Sequence, residues 1–152
     1  MSFRTTVQLT HGAVLEILTA CVQHAEHIQC PPVNIAVASR FGQIIASITM
    51  DDAYFLSAET ARNKALTAAS HKIDTRYLPD EIKNQLALAS GGKITAMAGG
   101  LPIWIDGECV GGIGVGGASD EDDIDIAEYG VLIIGGSITK EQSLQRSDLV
   151  RG

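Results

Sequence analysis

The chain has 152 residues, 45% of them hydrophobic, which is enough for one well-packed domain and too little for two comfortable ones. Its formal net charge of −7 argues against nucleic acid or an anionic membrane surface as the main partner, because both call for clustered Lys and Arg. No apolar run approaches the roughly 20 residues that span a bilayer, and the opening MSFRTTVQLTHG lacks the apolar core of a secretory signal, so a cytoplasmic location is expected.

Thr10 is placed to cap a helix running to about Ile28, with Val14, Leu18, Cys21, Ala25 and Ile28 on one face. Pro31-Pro32 ends it. Val33–Ser39 and Gln43–Met50 then read as a hairpin joined through Arg40-Phe41-Gly42. Ser57 is the expected cap of a second long helix, whose inner face of Ala61, Ala65, Ala68 and Ala69 suits close contact with a sheet. Asp80 opens a shorter helix to Ala89, with Ile82 and Leu86 pointing inward, and Gly91-Gly92 stops it. A strand is expected near Ile94–Met97. Pro102–Ile105 and Glu108–Val115 flank Asp106-Gly107, a pair suited to a type I′ turn. Ser119 or Asp120 caps a helix over about 121–134, with Asp120 to Asp123 at its positive end. The unit is therefore residues 1–136, followed by a polar tail, 137–152, that has no strong periodicity. Hairpins without a repeated βαβ pattern predict an α+β fold, an antiparallel sheet of about five strands with helices on both faces.

The glycines at 111, 112, 114, 116 and 117 strip one stretch of strand almost bare. That calls for a ligand, a partner chain or a closely packed helix. Gly112, Gly114 and Gly117 also satisfy the GxGxxG dinucleotide pattern. The incoming strand is already paired in a hairpin, no βαβ unit follows, and four carboxylates in the next turn would repel a pyrophosphate, so that reading is rejected.

Several blocks carry a family resemblance: Pro31-Pro32-Val33-Asn34-Ile35-Ala36-Val37 with Gly42, Met50-Asp51-Asp52-Ala53, and Ser57, Ala61, Arg62, Lys64 and Ala65. The longest runs from Gly99-Gly100-Leu101-Pro102-Ile103 through Asp106-Gly107-Glu108, Val110-Gly111, Ile113-Gly114-Val115 and Gly117-Ala118 to Glu121, Asp123, Ala127 and Gly130. Together they resemble the GlcG/HbpS haem-binding-protein family, which also includes the C-terminal domain of PduO-type cobalamin adenosyltransferases. The resemblance implies a profilin-like fold, homo-oligomers, and haem or a related tetrapyrrole such as cobalamin as ligand in some members. It also implies a setting in glycolate use or in cobalamin-dependent diol or glycerol breakdown. Asp52 stands where the family usually has glycine, Asp122 where glutamine is common, and both add negative charge.

A haem site needs an apolar slot, an axial ligand and partners for the propionates. At 100° per residue His24 lies about 80° from Val14 and His27 about 140°, which makes His24 the candidate axial ligand and sends His27 to water; His11 and His71 are surface or half-buried candidates. Lys64 and His71 fall within about 20° of one another on the second long helix and are expected to border one groove. Trp104, the single tryptophan in a chain that is 5% aromatic, is placed to stack on a planar ligand. Gly112 and Gly114 complete the candidate ligand contacts. Cys21, Cys30 and Cys109 read as free thiols in a reducing compartment, Cys30 before proline being a weak haem-regulatory pattern. No catalytic residue is assigned. The expected function is an oligomeric accessory protein that binds haem, a corrinoid or another small planar or acidic ligand. Haem-degrading or small hydroxy-acid or aldehyde chemistry, and a purely structural assembly role, are the alternatives.

Overall fold

The computed structural model describes residues 2–151, with the side chains of 2–149. In order, the elements are α1 (His11–Ile28), β1 (Asn34–Ser39), β2 (Ile44–Thr49), α2 (Leu56–His71), a tight turn at Thr75–Tyr77, α3 (Asp80–Ala89), β3 (Gly100–Ile105), β4 (Glu108–Gly116), α4 (Asp120–Ile133) and α5 (Lys140–Arg151). The four strands form one antiparallel sheet ordered β2-β1-β4-β3. Thr10 Oγ1 accepts the Ala13 N–H at 3.1 Å and starts α1; Ser119 Oγ accepts the Asp122 N–H at 3.1 Å and starts α4. Asp106 and Gly107 both take positive φ, 49° and 82°, as a type I′ turn requires.

Strand alternation sorts large from small side chains. Ile35 and Val37 of β1, Leu101 and Ile103 of β3, and Ile113 and Val115 of β4 face α1 and α4, where they bury Val14, Ile17, Ile126 and Val131 in the main core. Each such side chain contributes about 1.5–3 kcal/mol. The opposite face carries Ala36, Ala38, Gly100, Gly112 and Gly114, and α2 lies on it through Ala61, Ala65 and Ala69. Among the described residues no helix is long and apolar enough to cross a membrane.

Four expectations are corrected. The sheet has four strands rather than five, because the backbone near Ile94–Met97 is satisfied by hydroxyls: Ile94 N–H bonds Ser90 Oγ, Thr95 N–H bonds Thr67 Oγ1 and Met97 N–H bonds Thr95 Oγ1. The outer edge of β3 is instead met at Trp104 by Ser137. The second long helix begins at Leu56 without a side-chain cap, so Ser57 lies inside it. α3 buries none of its residues, leaving Ile82 exposed. Finally, the polar tail folds as α5: its inward positions are Ser143 and Ser147, which are buried but not apolar, so the helix carries no hydrophobic period. Ser143 Oγ accepts the Gly107 N–H at 2.9 Å and Arg146 Nη1 donates to Gly136 O at 2.6 Å, which ties the tail to the β3–β4 hairpin.

A methyl group added at Gly114 would run into Ala61 O and stand 2.6 Å from Ala65 N, backbone that cannot move aside. Gly114→Ala is expected to cost about 3 kcal/mol in urea unfolding. Gly12→Ala, where the nearest atom is 3.8 Å away, is expected to be neutral or to gain up to about 1 kcal/mol.

Candidate functional site

The bare strand does not offer a ligand surface. A Cβ on Gly112 would collide with Ala65 O and lie 2.7 Å from Ala69 N; Gly114 is covered in the same way one turn earlier. The expectation that Gly112 and Gly114 touch a ligand is therefore corrected: they make room for α2.

That close seat carries Lys64 into the interior. Only 2% exposed, Lys64 donates from Nζ to Val115 O at 2.7 Å and lies 3.5 Å from Asp123 Oδ2, while Asp123 Oδ1 accepts the Ala118 N–H at 3.1 Å. Burial pushes the Asp123 carboxyl up from 3.8 to about 6 against the pull of Lys64, and burial lowers the Lys64 ammonium against the pull of Asp123. The ammonium is spent inside the protein, so Lys64 does not border a groove with His71. His71 is half-buried at the end of α2 with Nδ1 enclosed and without a hydrogen-bond partner.

His24 occupies the seam between α1 and α4. Its Nε2 lies 2.9 Å from Asp125 Oδ2, and its ring stacks on Tyr129 with centroids 4.3 Å apart and planes 6° from parallel. Tyr129, not His24 itself, lines an open groove of about 430 Å³ along the two helices, together with the apolar Leu15, Ala20 and Ile133 and the polar Glu16, Thr19 and Gln23. His27 and His11 face water. A carboxylate on one ring nitrogen is the arrangement that orients a metal-binding imidazole through the other, and apolar lining residues suit a porphyrin. The donor set fits haem in those two respects. Among the described residues no cation lines the groove, so it offers no charged partner for propionates.

Trp104 lies on edge strand β3. It contributes to a cleft of about 580 Å³ together with Ile73, Tyr77 and Ile138, and to a smaller one of about 260 Å³ with Ser143 and Arg146. Trp104 and His24 do not share a cleft.

The family model described as "Haem degrading protein HbpS-like" matches residues 9–132, from the cap of α1 to the last turn of α4. The chain belongs to the HbpS-like family. It is 33% identical over 135 residues to the corrinoid adenosyltransferase PduO of Salmonella typhimurium, spanning 40% of that longer protein, and 30% identical over 113 residues to GlcG of Escherichia coli, covering 84% of it. Among solved structures, the PduOC–haem complex superposes with a TM-score of 0.80 at 30% identity, covering 88% of this chain and 99% of the other. An HbpS double mutant from Streptomyces reticuli gives 0.78 at 30% identity, covering 88% and 91%.

In this HbpS-like chain the residues that sequence reasoning missed are the partners. Asp123 was visible as an inward position, since it shares its phase on α4 with Ile126, Ala127, Gly130 and Val131, all buried. Asp125 and Tyr129 are four residues apart and so share a face, but nothing local ties them to His24 across 101 residues. Burial raises the Cys30 thiol and nearby Asp122 raises it further, which opposes a thiolate ligand there.

Lys64→Met would leave a buried carboxylate alone and is expected to cost about 3–5 kcal/mol, most of it recovered in Lys64→Met/Asp123→Leu. The folded pKa of Asp123 lies above its unfolded value, so its contribution is fully present below 3.8 and lost as pH rises through about 6. Asp123→Asn cannot titrate. The urea-midpoint difference between Asp123→Asn and the parent should therefore move in favour of the asparagine variant between about pH 4 and about pH 7.

Proposed function

We propose that this chain is a haem-binding accessory protein that holds the porphyrin against the outer α1–α4 groove with His24 as axial ligand, without turning it over. The observation that carries the reading is the His24 imidazole, hydrogen-bonded to Asp125 at 2.9 Å and stacked on Tyr129 at the margin of an apolar groove. The relative described as a PduOC–haem complex supports haem ahead of a corrinoid. Haem, when bound, supplies the iron and the macrocycle; this chain supplies an oriented imidazole and the apolar lining of the groove. A homo-oligomeric state is part of the proposal, supported by the exposed run Tyr54-Phe55-Leu56 and by the unpaired edge of β2. A reducing cytoplasmic setting is supported by the unpaired thiols of Cys21 and Cys109, whose burial raises both and makes them poor nucleophiles. Service to glycolate or to cobalamin-dependent diol or glycerol metabolism is the pathway we propose, on the likeness to GlcG and PduO.

A second reading, haem degradation, is favoured by the description of the family itself. Both are decided by one titration. Haem added to the purified protein is expected to give a saturable and persistent Soret shift, weakened about tenfold or more in His24→Ala and less severely in Asp125→Asn. A Soret band that forms and then decays with a supplied reductant selects the degrading reading. Absence of saturable binding, or an undiminished His24→Ala, overturns the site.

A further inference from the structure

We propose that the cleft beside Trp104 is a separate ligand site, one that takes a small carboxylate carrying a flat apolar body. It does not rest on the haem reading. The cleft, of about 580 Å³, falls within the size range of small-molecule sites. Its lining includes two flat aromatic side chains, Trp104 and Tyr77, together with Ile73 and Ile138. Three of the 11 cationic side chains in this chain of net charge −7 converge on it: Lys72, Arg76 and Lys140.

Of the two acids on the same lining, Asp74 offsets the charge of Arg76 and leaves the two lysines unpaired. Asp74 is committed: its side chain is 11% exposed, Oδ1 accepts the Arg76 backbone N–H at 2.9 Å, and Oδ2 accepts Arg76 Nη2 at 2.6 Å. This clamp holds the guanidinium over the Tyr77 ring, 5.0 Å from its centroid, so the fork is fixed in place with N–H donors to spare. Glu141 is exposed in the first turn of α5, where the helix dipole accommodates it. Lys72 and Lys140 enter none of the ion pairs among the described residues.

The chemistry also narrows the ligand. Among the described residues no His, Cys or Met lines the cleft, which leaves Tyr77 as the one lining side chain of a usual haem-ligating type. Its two acids face three cations, which disfavours a divalent metal. The apolar part of the lining, Trp104, Tyr77, Ile73 and Ile138, suits an anion that carries a flat apolar body better than a bare phosphate. Ile138, Thr139, Lys140 and Glu141 lie beyond the family-matched residues 9–132, so this site is built partly from the segment that distinguishes this chain.

Trp104, the single tryptophan of the chain, reports on the cleft directly. Titration of the intact protein with 3-phenylpropionate, a probe that does not absorb where tryptophan is selectively excited, is expected to give a saturable change in Trp104 emission. The uncharged 3-phenylpropanol is expected to bind about tenfold more weakly or worse, and Lys72→Gln/Lys140→Gln to weaken the carboxylate by a similar factor. Both lysines are exposed, so the double variant should keep its fold, checked by circular dichroism. No saturable response, an equal response to the alcohol, or undiminished binding in the double variant overturns the proposal. Haem titration of that variant should be unchanged, so the failure of either site is visible without the other.

Discussion

How closely α2 can approach the sheet governs the rest of the molecule. With Gly100, Gly112 and Gly114 opposite Ala61, Ala65 and Ala69, backbone meets backbone and no bulky layer separates them. That approach brings the stem of Lys64 past Gly114 to the end of β4, where the ammonium reaches Val115 O and Asp123. A thicker interface would leave Lys64 on its own side of the sheet. The buried ion pair, which joins helices from opposite faces, is therefore a result of missing side chains elsewhere.

The two faces divide the work. The α1–α4 face holds the branched aliphatic side chains and contributes most of the hydrophobic stabilisation, whereas the α2 face contributes proximity. The α2 interface is filled by backbone and alanine methyl groups. Candidate chemistry lies on the outside of the scaffold, at the α1–α4 seam near His24 and at the sheet edge near Trp104. Both places set an aromatic ring beside groups that can recognise charge or metal, on elements made rigid by the packing beneath them.

The sequence was informative wherever the physics is local. Thr10 and Ser119 as caps, Asp106-Gly107 as a two-residue turn and the alanine face of α2 follow from short-range sterics and hydrogen bonding. It was misleading where hydroxyls replaced the usual signals: Thr67 and Thr95 satisfy backbone that was expected to be a strand, and Ser143 and Ser147 bury a helix face that has no apolar stripe. At the candidate sites, the phase argument found that His24 sits at a buried edge. The partners that define its chemistry, Asp125 and Tyr129, are about a hundred residues away and became visible only through the fold. Lys64 shows the opposite limit, since a lysine on a helix reads as solvated until the neighbouring backbone is known.

The short pairing of Ser137 with Trp104, made through N–H···O bonds of 2.8 and 2.9 Å, has a consequence for how copies can associate. It closes off the β3 border of the sheet and leaves β2 as the open one. Strand-to-strand pairing between identical molecules would therefore use the β2 border, where a two-fold join sets one β2 beside another. A sheet with both borders free would offer two places for such a join; this one offers β2.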